Sequence, residues 1–227
     1  MCGRYVLGGD AADYAEYFGV DRIVGDELSR SYNVAPTDPV YTVASWDGER
    51  LLGVMRWGLI PHWAKDSKAI QINARAETLL TKPMFRDSAV RKRCIIPADG
   101  FYEWEPKERG RAPHWVYRAD GFPMGFAGVY SSWKNPETEE WIRTCAIVTG
   151  EARGVISDIH ERMPIALSPD VWDPWLDRSI TDPSEIENLI QAIPPDLVMQ
   201  HEVSPLVNSV RNNDRNLTNP AGPLRIV

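Results

Sequence analysis

Short β-forming runs recur along this chain without the alternating helices that a parallel sheet needs: 40–46, 51–57, 94–97, 115–118, 124–130, 143–149 and 197–203. Turn-forming residues bound each run. Asp47-Gly48, between the first two, predicts a tight hairpin turn, because such turns need residues that tolerate positive φ. Strands joined by short turns, with no βαβ repeat, build an antiparallel sheet or barrel. The expected class is α+β and β-rich, mainly antiparallel, with a few helices packed outside.

Those helices announce themselves by caps and stripes. Asp10 precedes Tyr14, Tyr17 and Phe18, aromatics that share one face at helical spacing. Asp182-Pro183-Ser184-Glu185 combines a cap, a first-turn proline and a capping box, followed by the stripe Ile186, Leu189, Ile190 and Ile193 up to Pro194-Pro195. Ser168-Pro169 opens a short helix expected to bury Val171, Trp172, Trp175 and Leu176, with Pro174 bending or shortening it. With 18 prolines at element ends and no repeat or Gly/Ser linker, the 227 residues read as one domain spanning 1–227.

A hydrophobic content of 43% with 25% charged residues supports a packed core and excludes collagen-like, disordered and membrane-bundle chains. Cys2, Cys94 and Cys145 are too few and too scattered for a secreted disulfide framework, so a cytoplasmic location is expected. The first residues lack the apolar core of a secretory signal, and no run reaches the ~18 apolar residues of a membrane span. The four histidines and three cysteines show no metal-ligand spacing, so neither a metal nor a cofactor is expected.

The net charge of -7 is unevenly spread. Residues 51–118 hold 13 Lys/Arg against 7 Asp/Glu, together with Trp57, Trp63, Phe85, Phe101, Tyr102, Trp104 and Trp115. Aromatic planes among cations suit the bases and phosphates of a single strand. The same composition also describes core aromatics alternating with solvated cations.

Cys2 is the most unusual position. A small residue after the initiator favours removal of Met1, which exposes a 1,2-aminothiol. Its amine, with a reference pKa of about 7.7–8.0, and its thiol, about 8.5, are both nucleophilic near neutrality. An aldehyde would condense with the amine to an imine, and the sulfur would close a five-membered thiazolidine.

Several blocks accompany that cysteine: Met1-Cys2-Gly3-Arg4-Tyr5, Tyr32-Asn33-Val34-Ala35-Pro36, Arg56-Trp57-Gly58-Leu59-Ile60-Pro61 and Asn73-Ala74-Arg75-Ala76-Glu77-Thr78. They continue with the run from Arg93 to Trp104, Val148-Thr149, Ile159-His160-Glu161-Arg162-Met163-Pro164, Val203-Ser204 and Val207-Asn208. In this order they resemble the SRAP family of SOS-associated abasic-site processing proteins.

The resemblance implies a barrel-like core with flanking helices, acting as a monomer on single-stranded DNA that contains an abasic site, nucleoid-associated when bound. It implies a covalent link from Cys2 to the ring-opened deoxyribose, with Asn73 orienting amine and sugar and with Glu103 and His160 moving protons. In an extended strand Glu105 would share a face with Glu103. The guanidinium groups of Arg4, Arg75 and Arg162 suit phosphate. Thr149 lies in a matched block, while Asn33, Pro36, Trp63, Met84 and Phe85 are expected to wedge or stack bases. Two alternatives stand beside this reading. One is an amino-terminal-nucleophile peptidase using Cys2, His160 and Asn73; the other is a noncovalent binder for which Cys2 is dispensable.

Overall fold

In the computed structural model, which describes residues 2–222, the hairpin expected at Asp47-Gly48 forms, with φ of 50° and 83° at the two residues. In chain order the strands are β1 (Tyr5–Leu7), β2 (Arg22–Ile23), β3 (Ser31–Val34), β4 (Pro39–Trp46), β5 (Glu49–Trp57), β6 (Asn73–Arg75) and β7 (Arg93–Ala98). They continue with β8 (Gly100–Pro106), β9 (Arg111–Arg118), β10 (Met124–Lys134), β11 (Trp141–Glu151), β12 (Arg162–Pro164) and β13 (Val198–Glu202). The helices are α1 (Ala11–Tyr17), α2 (Arg86–Arg91), α3 (Trp172–Leu176) and α4 (Pro183–Asn188).

Strands β5, β4, β7, β10 and β11 are hydrogen-bonded in that order, and β11 returns to β5 through Thr144↔Arg56 and Cys145↔Trp57. Five strands therefore close into a barrel, which removes their exposed edges. Each of the five was legible as a β-forming run. Only the closing pair is parallel within this ring. Short strands extend it: β2 on β5, and β6 and β12 on β11. A second, antiparallel sheet runs β13-β9-β8-β1-β3. Its β1, β3 and β8 carry no isolated sequence signal, being either three or four residues long or interrupted by glutamates.

Alternation along β1 and β8 feeds two cores, which is why these strands are apolar on both faces. Tyr5 and Phe101 point toward the barrel, where Tyr5 meets Trp57 edge-on at 5.1 Å and Phe126 lies 6.0 Å from Phe101. Val6 and Tyr102 point away and pack with Trp115, Val203, Val207 and Leu217. Burying each large side chain is worth about 1.5–3 kcal/mol, so the two clusters lock the sheet onto the barrel and the carboxy-terminal segment onto the sheet.

This packing corrects one expectation. Of the aromatics in the basic stretch, Trp57, Phe85, Phe101, Tyr102 and Trp115 are core residues, at most 7% exposed, whereas Trp63 is 52% exposed. Composition counted planes that the fold spends on its own interior.

The helix signals hold at their starts. Asp10 caps α1 and forms a reciprocal box with Asp13, and the Asp182 side chain accepts from the backbone N–H groups of Ser184 and Glu185. Helix α3, entered through a 3-10 turn over Pro169–Val171, buries Val171, Trp172, Trp175 and Leu176 as expected. The end of α4 is a second correction: it stops at Asn188, not at the Pro194-Pro195 pair. Beyond it the chain extends so that Ala192 pairs with Leu167 and the Ile193 N–H reaches the Ala166 carbonyl, and Ile193 is buried without being helical. Among the described residues, no helix is long and apolar enough to cross a membrane.

Candidate functional site

Strand β8 brings two parts of the site together. Its pairing with β1 places Tyr5 opposite Phe101, and the Tyr102 N–H continues the ladder to the Arg4 carbonyl at 2.9 Å. The residues before Tyr5 thus run toward Glu103. Gly100 lets β9 lie close against β8, since a Cβ there would stand 2.2 Å from the Val116 carbonyl oxygen.

Cys2 is fully buried. Burial pushes its thiol well above the ordinary range, the nearby Glu103 carboxylate pushes it further, and a hydrogen bond from the Arg4 backbone opposes them. Glu103 itself is 3% exposed, and its Oε1 accepts from the Trp104 N–H at 3.3 Å. Glu105 lies on the same side of β8 and pairs outward, with Lys107 at 2.5 Å and with His114 Nε2 at 2.9 Å.

Asn73, on β6, donates from Nδ2 to the Cys2 carbonyl at 2.8 Å. Its buried Oδ1 has no hydrogen-bond partner among the described residues. The parallel pairing Ile147↔Asn73 with β11 fixes this side chain to the barrel wall, so the anchor for Cys2 is rigid. His160 is half-buried, and its Nδ1 accepts from the Arg162 N–H at 2.9 Å. An accepting Nδ1 puts the proton of the neutral ring on Nε2.

The expected cations fall into two groups. Arg75 is exposed at the end of β6, and Arg162 lies on β12, where its Nη2 donates to the Thr149 carbonyl at 2.6 Å. The same guanidinium forks onto Glu77 at 2.6 and 3.0 Å, and that hydrogen bond holds the Glu77 carboxyl below the usual carboxylate range. Arg4 instead donates from Nη1 to Asn33 Oδ1 at 2.7 Å and to the Val207 carbonyl at 3.0 Å, with its guanidinium 5.9 Å over Trp104.

Several expected DNA contacts are turned inward. Asn33 is 3% exposed, and its Nδ2 faces the carbonyls of Val207, Ser209 and Asn212, so the side chain fastens the 207–212 loop. The Thr149 side chain is fully buried, and Phe85 and the half-buried Met84 pack on the main core. Pro36 is half-buried in a turn closed by Asp38 N–H to the Ala35 carbonyl, and Trp63 projects from the turn 61–64. The structure thus joins Cys2, Asn73 and Glu103 in one cluster and Arg75, Thr149, Arg162 and His160 in another strung along β11 and β12. The sequence alone gives Glu77 no role. Its signal was a lone acidic residue two positions after Arg75.

Among the described residues, no group of three or more His, Cys, Asp or Glu side chains is arranged to hold a metal ion. What the cluster holds is a buried carboxylate, a side-chain amide and the buried Cys2 sulfur.

Comparisons with known proteins agree with the blocks and the fold. The chain is 41% identical over 221 residues to the abasic site processing protein YoqW of Bacillus subtilis (strain 168), covering 96% of this chain and 98% of that one. It is 33% identical over 227 residues to the abasic site processing protein YedK of Escherichia coli (strain K12), covering 97% and 100%. A crystal structure of a protein from Bacteroides thetaiotaomicron superposes with a TM-score of 0.86 at 26% identity, covering 97% of this chain and all of the other. The family model described as SOS response associated peptidase matches residues 1–210, and the chain belongs to that family, SRAP.

Proposed function

We propose that this protein processes abasic sites in single-stranded DNA and joins Cys2 covalently to the ring-opened deoxyribose. Removal of Met1 frees the Cys2 amine. That amine attacks the sugar aldehyde and loses water to give an imine; the sulfur then adds to the imine carbon while the nitrogen takes up a proton, closing a thiazolidine. From the imine state, β-elimination of the 3′ phosphate is the competing lyase outcome, and ring closure shields the strand from it.

The observation that carries this reading is the Asn73 hydrogen bond to the Cys2 carbonyl beside the buried Glu103 carboxylate. A thiol raised by burial leaves the amine as the first nucleophile, and Glu103 is assigned to take the thiol proton at ring closure. His160, with its proton on Nε2, is assigned to proton delivery at the sugar oxygen. Trp63 is an exposed plane available for stacking, and Arg75 and Arg162 serve the backbone phosphates. A peptidase that turns over through a free thiolate gains less support from a sulfur in this environment.

The test is incubation with an abasic oligonucleotide, followed by a denaturing gel and intact mass. An adduct that survives denaturation, appears only on protein lacking Met1 and is lost in Cys2→Ala is expected. Unmodified DNA with correctly processed protein overturns the proposal.

A further inference from the structure

One carboxylate sits among the cations assigned to DNA. Glu77 follows β6 on the 3-10 turn Ala76–Thr78, and both of its oxygens are held by Arg162, at 2.6 and 3.0 Å. The charge of Arg75 acts on the same carboxylate. To a guanidinium fork, a carboxylate and a phosphodiester present the same pair of anionic oxygens. We propose that in the free protein Glu77 occupies the place of a DNA backbone phosphate on Arg162 and is displaced when a strand binds. This rests on the reading above that Arg162 and Arg75 contact the backbone.

The two partners are unequally free to move. The Arg162 side chain is 15% exposed and is tied from behind to the Thr149 carbonyl at 2.6 Å, whereas the Glu77 side chain is 53% exposed. Exchange therefore swings the glutamate into solvent and leaves the guanidinium in place for the phosphate. A freed carboxylate beside a phosphate chain takes up a cation while the phosphates release theirs. Glu77 thus weakens contact with any strand and makes it less salt-dependent. Brief encounters with undamaged strands are penalised most, because a covalent link no longer depends on the ion pair.

The test is fluorescence anisotropy with an intact, lesion-free oligodeoxythymidine across a series of salt concentrations, using the whole chain. Glu77→Gln keeps the shape and removes the charge, and Glu77→Asp keeps the charge but shortens the reach; thermal melts check that both are folded. Glu77→Gln is expected to bind roughly threefold to tenfold tighter, with a salt slope steeper by about one. Glu77→Asp should move the same way by less. Equal or weaker binding by Glu77→Gln, while Arg162→Ala binds more weakly than wild type, overturns the displacement and makes Glu77 a support for Arg162. Wild-type affinity and slope in both Arg162→Ala and Arg75→Ala would instead overturn the backbone-contact reading itself.

Discussion

The Asn73 side chain holds the Cys2 backbone carbonyl at 2.8 Å across 71 positions of sequence, and it does so from a strand fastened to the closed barrel. Asn73→Ala is expected to slow crosslinking about 100-fold while changing affinity for an intact strand less than twofold, because misplacing a nucleophile by about 1 Å costs on that scale. Single-turnover rates and anisotropy on the same preparation check the split. A parallel loss of affinity would make Asn73 a binding residue.

Cys2, Cys94 and Cys145 are all free thiols and all fully buried, and burial raises the pKa of each. Protein that retains Met1 is therefore expected to leave a thiol reagent such as dithionitrobenzoate unreacted while folded, and to release three equivalents in guanidinium. One fast equivalent from the folded chain, traced to Cys2 by peptide mass, would contradict the buried placement.

Thr37 has φ of 80° in the turn after Pro36, a conformation that a β-branched side chain rarely adopts. This conformation is held by the Thr37 N–H donating to the Trp57 carbonyl at 2.8 Å. Thr37→Gly is expected to stabilise the protein by about 1 kcal/mol in urea unfolding, from the relief of a strain of order 1–3 kcal/mol offset by backbone entropy. A loss of stability would mean that the threonine side chain contributes more than the strain it carries.

Asp99 accepts from the Gly8 N–H at 2.5 Å and from the Tyr14 hydroxyl at 3.0 Å, yet burial dominates and raises its carboxyl above the ordinary range. A carboxyl raised in the folded state binds its proton more tightly there than in the unfolded chain. Its contribution to stability therefore falls as pH rises from about 3.9 through the folded value, and is constant above it. Asp99→Asn is expected to flatten the urea-unfolding stability over that window. The same pH dependence in both proteins would show that Asp99 is not the group responsible.

Much of the fold was legible locally. Short β-forming runs bounded by turn residues named all five barrel strands, and Asp10, Asp182 and Asp47-Gly48 marked their helix starts and turn, because caps and tight turns depend on residues within a few positions of one another. The residue blocks likewise identified the family and nominated Cys2, Asn73 and Glu103, which the structure brings into one cluster.

Only tertiary structure decided how those residues are used. Whether an aromatic in a basic stretch stacks on bases or fills a core depends on which sheet face it shares, and Phe101 and Trp115 went inside while Trp63 stayed out. Whether a cation meets a phosphate or a neighbour depends on partners far away in sequence: Asn33 and the Val207 carbonyl for Arg4, and Glu77 for Arg162. Hydrogen bonds and desolvation act over a few ångströms, and it is barrel closure and sheet register that bring such distant positions within that range.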